Sequence, residues 1–303
     1  MMIRYARPGD LEEVRSLWIE GFGDPQPYTK WYFRTIYQPE RTLCLWDGPN
    51  MAACLQIAPY RLMLNGQPHR VAYLVGVVTG QAYRHRGFGH QLVKYALNQL
   101  SASEFSLAML YTDIPEFYAP LGFIHCYQQC LQRFSPKNMS TPPGWRLSLQ
   151  EENDLARCDQ IYQRMTKTMN GYILRSPKNW KNLLADFLCD GGDLWISKTG
   201  YLLWYPDLEG TCFRIHELGY ATQTALEEAL ALAQGLAANH GYTQISWASP
   251  LSTPKLGEDL RIIPHVMCRR LDLPREYSEE NAATATLDLY EKTWSANWVN
   301  EIT

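Results

Sequence analysis

The chain has 303 residues, 46% of them hydrophobic and 19% charged, with a formal net charge of −3; this is the composition of a soluble globular protein too long for one typical core, so two domains are expected. A balance this close to neutral excludes binding driven by bulk basicity, no stretch approaches the roughly 18 apolar residues of a membrane span, and the opening residues lack the apolar core of a signal peptide. The eight cysteines are scattered without a C-x-x-C pair, which indicates neither a zinc site nor a disulfide framework, so no metal and a cytoplasmic location are expected.

Residues 3–8 alternate as a short strand, Asp10 is placed to cap a helix, and Leu11, Val14, Leu17 and Trp18 form the apolar stripe of that helix. The stretch 21–27 holds two glycines and two prolines and breaks it; Tyr28, Trp31, Tyr32 and Phe33 open a second, aromatic helix. Strands at 42–46 and 51–59 pair across the turn 47–50, and a second hairpin turns at Asn65-Gly66 to deliver the chain into a strand at 71–79.

Residues 75–94 then read as a buried β-branched strand, a loop rich in glycine and arginine, and a helix opening near Gly89. Two glycines just before a helix let the backbone approach a ligand and aim unpaired N–H groups at one point, which attracts anions. Arg84, Arg86, His90 and Lys94 place positive charge around that point in a chain that is slightly acidic overall. The loop fits neither the G-x-x-x-x-G-K-[ST] nor the G-x-G-x-x-G phosphate pattern.

Arg84-x-x-Gly87-x-Gly89 instead resembles the [QR]-x-x-G-x-[GA] pyrophosphate loop of the GNAT superfamily of N-acetyltransferases. Downstream, a strand at 106–111 leads into Phe117-Tyr118-Ala-Pro-Leu-Gly122-Phe123, which is similar to the F-Y-x-x-x-G-F segment of that superfamily at every fixed position, with Pro120 where a bulky or basic residue is usual. The resemblance implies an α/β (α+β) fold of two tandem GNAT-like domains, each a mixed, mostly antiparallel sheet flanked by helices.

The strand 124–134 is followed by 135–144, a segment of linker composition. Beyond it, residues 145–157 echo 3–15 and Trp180 echoes Trp31; strands follow at 194–197, 201–205 and 212–218, then a helix opened by the capping box Thr224-Ala-Leu-Glu227 and stopped at Gly241. Residues 219–223, between that strand and helix, are too short and too poor in glycine and arginine to cradle a pyrophosphate. The expected division is therefore a cofactor-binding domain at 1–138, a degenerate GNAT-like domain at 145–275 and a tail at 276–303. A tandem pair with one active copy resembles the Eis-type acetyltransferases over roughly residues 1–275. Those have a third, sterol-carrier-like domain whose terminal carboxylate acts as a base; only residues 274–303 remain here, so that carboxylate has no assured counterpart and aminoglycoside activity is not carried over.

What the GNAT resemblance implies about the site is specific. Acetyl-coenzyme A is the cosubstrate: the backbone of Val77, Val78 and Thr79 pairs with its pantetheine arm, Arg84, His85, Arg86, Gly87, Phe88, Gly89 and His90 hold its pyrophosphate, Asp113 and Ile114 touch it, and Tyr118 protonates the departing thiolate. The acceptor is a small-molecule or peptide amine. A base for that amine is not singled out; Glu20, Asp24, Glu116, His125, His216, Glu217 and the carboxylate of Thr303 are candidates. The competing function is an acetyl-coenzyme A sensor or interaction protein without turnover. A pI near 6.2 argues against transfer from tRNA, no membrane or nucleic-acid partner is expected, and a homo-oligomer stays open.

Overall fold

The computed structural model describes residues 1–149, 151–272 and 279–290. The chain opens with β1 (Met2–Tyr5), the helices α1 (Leu11–Phe22) and α2 (Gln26–Thr35), then the meander β2 (Thr42–Asp47), β3 (Asn50–Leu64) and β4 (Gln67–Thr79). After it come α3 (Phe88–Ser101), β5 (Leu107–Leu110), the one-turn helix α4 (Pro115–Tyr118) and β6 (Ile124–His125). Asp10 does precede α1, but its carboxylate takes the Arg4 guanidinium at 2.6 and 3.1 Å and the Arg7 N–H at 2.6 Å, so it ties β1 to the turn before the helix.

Next are β7 (Gln128–Phe134), β8 (Arg146–Leu147), α5 (Glu152–Thr166), the two-residue strand β9 (Tyr172–Ile173), α6 (Pro177–Cys189), β10 (Asp193–Ile196), β11 (Gly200–Pro206), β12 (Cys212–Tyr220), α7 (Gln223–Asn239), β13 (Gln244–Pro250) and β14 (Asp259–Pro264). The chain then adds β15 (Met267–Arg270) and α8 (Glu279–Tyr290).

Two compact units result. Of the described residues, the first holds Met1–Cys126 and those from His265 to Tyr290; the second holds Tyr127–Pro264. The main paths of their sheets run β1-β2-β3-β4-β5-β15-β6 and β14-β7-β13-β12-β11-β10-β8, with the parallel pairs β4 with β5 and β12 with β13 at their centres. This is the mixed, mostly antiparallel, helix-flanked fold class expected from the sequence.

The boundaries differ from the expected 1–138 and 145–275. The expected strand at 124–134 divides: β6 pairs with β15 in the first sheet, while β7 pairs with β13 and β14 in the second. The first sheet thus takes β15, and the second β7, from across the expected boundary. Alternation of apolar residues identifies a strand and its buried face but carries no information about which edge it joins, so a swap between two like sheets is silent in the pattern. The segment 135–144 is also no free linker: Lys137 N donates to Gln234 O at 3.3 Å, and the Met139 carbonyl lies where Gly235 of α7 would carry a side chain.

In the first unit the faces of the sheet follow the period of two. Ala53, Leu55 and Ile57 of β3 and Ala72 and Leu74 of β4 meet Leu92, Val93, Ala96 and Leu97 of α3. Cys54 of β3 and Val78 of β4 meet Val14, Leu17 and Trp18 of α1 and Tyr32 and Phe33 of α2. In the second unit α7 covers one face, while α5 and α6 pack Ile161, Tyr162, Trp180 and Phe187 on Ile196, Tyr201 and Leu203.

Candidate active site

The site begins as an irregularity in β4. Val78 pairs with Cys54 and Val75 with Gln56, so Gly76 and Val77 together face Leu55 and the strand carries a bulge. Gly76 has φ 60°, and a side chain on it would overlap the indole of Trp18; glycine is required on both counts. On the other edge, β4 pairs with β5 over Val71–Tyr73 and Leu107–Met109 and then runs on to Thr79. Among the described pairings, residues 74–79 have no strand on that edge. Such an edge is a template for an extended ligand, which can pair with it as an added strand.

Beyond Thr79 the loop folds back on itself. Gln81 N donates to the carboxylate of Glu20, Tyr83 N to Gly80 O at 2.8 Å, and Arg84 Nε to Thr79 O at 3.3 Å. His85 and Gly87 take positive φ of 61° and 77°, and the chain enters α3 with Gly87 as an N-cap that has no side chain to offer. The backbone N–H groups of His85 to His90 consequently have no partner among the described hydrogen bonds. The open end of a helix with its donors unpaired is an anion site. Gly89 permits the close packing beneath it, since a side chain there would meet Phe117 Cζ at 3.0 Å and Thr79 Oγ1 at 3.1 Å.

The expected ring of positive charge is weaker than the sequence suggests. Arg86 pairs with Asp47 at 3.0 Å and lies over Phe88 at 4.6 Å from its ring centre. Lys94 pairs with Glu279 at 2.8 Å, and His90 Nε2 lies 2.7 Å from Phe117 O, so its ring anchors α4. For an anion there remain the backbone donors and the exposed Arg84 and His85.

The chain after β5 is shaped by Thr112 Oγ1, which accepts from Ile114 N at 3.0 Å, while Asp113 accepts from the Tyr111 hydroxyl at 3.3 Å and Ile114 is exposed. Tyr118 follows on α4, buried, edge-on to Phe117 and Phe123 at 4.8 and 5.9 Å. Its hydroxyl makes no hydrogen bond among those described, and burial pushes its pKa up to about 12. Pro120 sits in the first turn of the short 3-10 helix Ala119–Leu121, where its missing N–H costs nothing. Gly122 has φ 80°, and a side chain on it would meet Glu279 O at 2.7 Å.

Most of the expected bases are otherwise engaged. Glu20 holds the loop through Gln81, and Asp24 accepts from Trp18 Nε1 at 2.7 Å. Glu116 is exposed on α4. His125 has an Nδ1 without a partner, and burial lowers its pKa, so it is neutral at pH 7. Glu217 is fully buried in a bidentate pair with Arg175 at 2.7 Å for both bonds, takes the Tyr201 hydroxyl as well, and neighbours His216, whose ring lies 4.0 Å from Phe187. Thr303 lies outside the described residues. Sequence reasoning misses the bulge at Gly76 and the anchoring of the loop by Glu20, although a glycine inside an apolar strand is a signal for the first.

The second unit repeats the frame without the opening. Its β12 bulges between Ile215 and Glu217, and its parallel pairing with β13 stops at Ile215 with Trp247. But α7 is capped by Thr222, whose hydroxyl accepts from Ala225 N at 3.1 Å, two residues ahead of the expected capping box at Thr224. Where α3 leaves its donors open, α7 satisfies one with its own side chain.

Residues 2–126 match the family model described as an acetyltransferase (GNAT) domain. The first unit carries a GNAT acetyltransferase domain. That domain makes the chain an acyltransferase. Among solved structures, a conserved protein of unknown function from Enterococcus faecalis, described as a probable N-acyltransferase, is 18% identical over 90% of this chain and 73% of its own, with a TM-score of 0.72. A GCN5-related N-acetyltransferase from Kribbella flavida is 18% identical over 89% and 71%, with a TM-score of 0.72. Eis1 from Mycobacterium abscessus is 14% identical over 90% and 74%, with a TM-score of 0.66. At these identities the likeness is one of fold, and it extends over about nine-tenths of the chain. No curated protein matches the sequence.

Proposed function

We propose that the first unit binds acetyl-coenzyme A and transfers its acetyl group directly to a primary amine, with Tyr118 as general acid. The observation that carries this reading is the open N-terminus of α3 at the end of a β4 edge left without a partner from residue 74 onward. The N–H groups of residues 85–90 fit a pyrophosphate, and the edge of Val77, Val78 and Thr79 fits an amide-bearing arm that pairs as a strand does. Arg84 adds charge; Asp113 and Ile114 flank the same end of β5.

Acetyl-coenzyme A supplies an activated thioester; the chain's residues supply position and a proton. Donors on β4 polarise the carbonyl. Tyr118, held protonated by burial, gives its proton to the sulfur as the carbon–sulfur bond breaks. An alkyl amine with a pKa near 10 is neutral in only about one part in a thousand at pH 7, so a base helps. Of the expected candidates, His125 combines an unpartnered ring nitrogen with a lowered pKa. The α1 and α2 aromatics are the proposed acceptor wall. The second unit, with its capped α7, takes no coenzyme.

The test is release of coenzyme A thiol from acetyl-coenzyme A by the purified protein with a panel of primary amines. Release that depends on the amine supports the reading. Tight binding without release leaves the sensor function, and no binding removes both.

A further inference from the structure

Two side chains on neighbouring central strands of the first sheet carry hydrogen-bond donors without a partner among the described residues. Gln56 of β3 is 5% exposed and Tyr73 of β4 is 2% exposed. Gln56 accepts the Tyr32 hydroxyl on Oε1 at 3.1 Å, and its Nε2 has no partner; the Tyr73 hydroxyl also has none. The backbone N–H of Tyr111 lies near the Tyr73 oxygen, but an N–H can only donate, so the phenol proton still has no acceptor.

The register puts the two together. Gln56 pairs with Val75 and Tyr73 pairs with Ala58, so they are diagonal neighbours, with Cβ atoms roughly 7 Å apart. Both lie on the face that packs against α1 and α2, opposite the face that packs against Tyr118. Their place along the strands is equally particular: Tyr73 is the last residue of β4 paired to β5, and Gln56 faces the last residue before the bulge. The ring of Tyr60, edge-on to Tyr73 at 6.4 Å, flanks them. A buried donor left unpaired is a cost that leucine or phenylalanine at the same places would not carry, and such exceptions concentrate where a ligand completes them.

We propose that Gln56 and Tyr73 form the recognition subsite for the acceptor, and that the acceptor is a primary amine bearing a carbonyl oxygen close to its nitrogen, as in an amino-acid amide or a peptide N-terminus. The inference rests on the acetyl-transfer reading above. The amide Nε2–H and the phenol O–H converge on one acceptor oxygen beside the freed edge of β4. That arrangement holds the amine on the α1 and α2 face, while Tyr118 serves the sulfur from the other. A site built to hydrogen-bond an oxygen discriminates strongly against an analogue lacking it, because its own donors are then left bare.

The experiment compares matched amines that differ by a carboxamide: phenylalanine amide with phenethylamine, leucine amide with isopentylamine, and glycine amide with methylamine. Thiol release is followed for the wild type, Gln56→Leu and Tyr73→Phe, with acetyl-coenzyme A affinity measured by calorimetry and unfolding by heat. The wild type is expected to favour the amides by about 10²-fold or more in kcat/KM. Each variant is expected to lose at least about tenfold of that preference and to bind acetyl-coenzyme A as before; Tyr73→Phe is expected to unfold no earlier than the wild type, whereas Gln56→Leu, which also removes the acceptor of the Tyr32 hydroxyl, is expected to melt somewhat earlier. Equal rates on the two members of every pair, a preference unchanged in both variants, or turnover confined to amines outside the six would overturn the subsite alone. A Tyr73→Phe variant that melts earlier would show that hydroxyl paired in solution and overturn it as well. Absence of acetyl-coenzyme A binding would overturn the subsite together with the reading it rests on.

Discussion

Trp18 occupies the space in which Gly76 would carry a side chain, and this one contact sets the course of β4 at the bulge. Because Gly76 also sits at φ 60°, a Gly76→Ala variant must both strain its backbone and displace the indole, which is itself held by Asp24 and stacked on Tyr32 at 4.5 Å. The expected loss is about 2–4 kcal/mol of unfolding free energy in urea, with weaker acetyl-coenzyme A binding. An alanine variant as stable as the wild type would mean that the strand relaxes around it.

Tyr118→Phe removes a hydroxyl that makes no described hydrogen bond, so stability and coenzyme affinity should hardly change. Its kcat should fall by about 10²- to 10⁴-fold. Since burial lifts the Tyr118 pKa to about 12, the acid stays protonated through the assayable range, and the wild-type rate should show no alkaline limb from this group below about pH 11. The linkage has a sign: a phenol whose folded pKa exceeds its unfolded value near 10 contributes stability that is complete below pH 10 and lost as the pH rises towards 12. A pH–rate profile and a pH series of melts check the two statements separately.

Glu20 separates a base from an anchor. Glu20→Gln keeps an oxygen for the Gln81 N–H and should leave acetyl-coenzyme A affinity within about threefold, with turnover little changed. Glu20→Leu frees that N–H and should weaken binding by about tenfold through a loosened loop. If the glutamine variant loses most of its kcat at unchanged affinity, Glu20 is doing proton chemistry and the anchor role is secondary.

In the second unit, Glu217→Gln leaves Arg175 buried between the rings of Tyr162 and Trp180, at 4.1 and 4.5 Å, without its counter-charge. A loss of about 3–5 kcal/mol is expected. Burial alone would raise the Glu217 pKa, but the charge and hydrogen bonds of Arg175 outweigh it and the net shift is downward. This pair therefore stabilises the fold above the ordinary carboxylate range and gives way as acid takes the pH below it, so acid unfolding of Glu217→Gln should be shallower than that of the wild type.

Thr222→Ala tests the capped helix. It should cost about 1 kcal/mol of stability and leave the coenzyme stoichiometry at one per chain. A second equivalent bound by the wild type would refute the reading of the second unit.

Much of this was legible because it depends on local pattern. Gly87 and Gly89 with Arg84 marked the loop, and Phe117 to Phe123 marked the turn that carries Tyr118. What could not be read were relationships between distant residues. Lys94 looked like phosphate-binding charge because Glu279, its partner, lies 185 positions away. His90 looked like part of the phosphate site, yet its ring meets a carbonyl of α4. Gln56 looked like a polar interruption of an apolar strand, and its missing partner is apparent only from the faces of β3 and β4.

The exchange of β7 and β15 also has a consequence for biosynthesis. The second unit receives its borrowed strand before the rest of it has been made, and can be complete once Pro264 has been translated. The first unit must wait for Met267–Arg270, long after β5 and β6 have left the ribosome. At roughly 5–20 residues per second the delay is on the order of ten seconds. Throughout it, the apolar β5 edge Leu107-Ala-Met-Leu110 stands open in the nascent chain. The half of the protein that is synthesised first is thus the half that finishes folding last, and a chaperone that shields strand edges has its work concentrated in that interval.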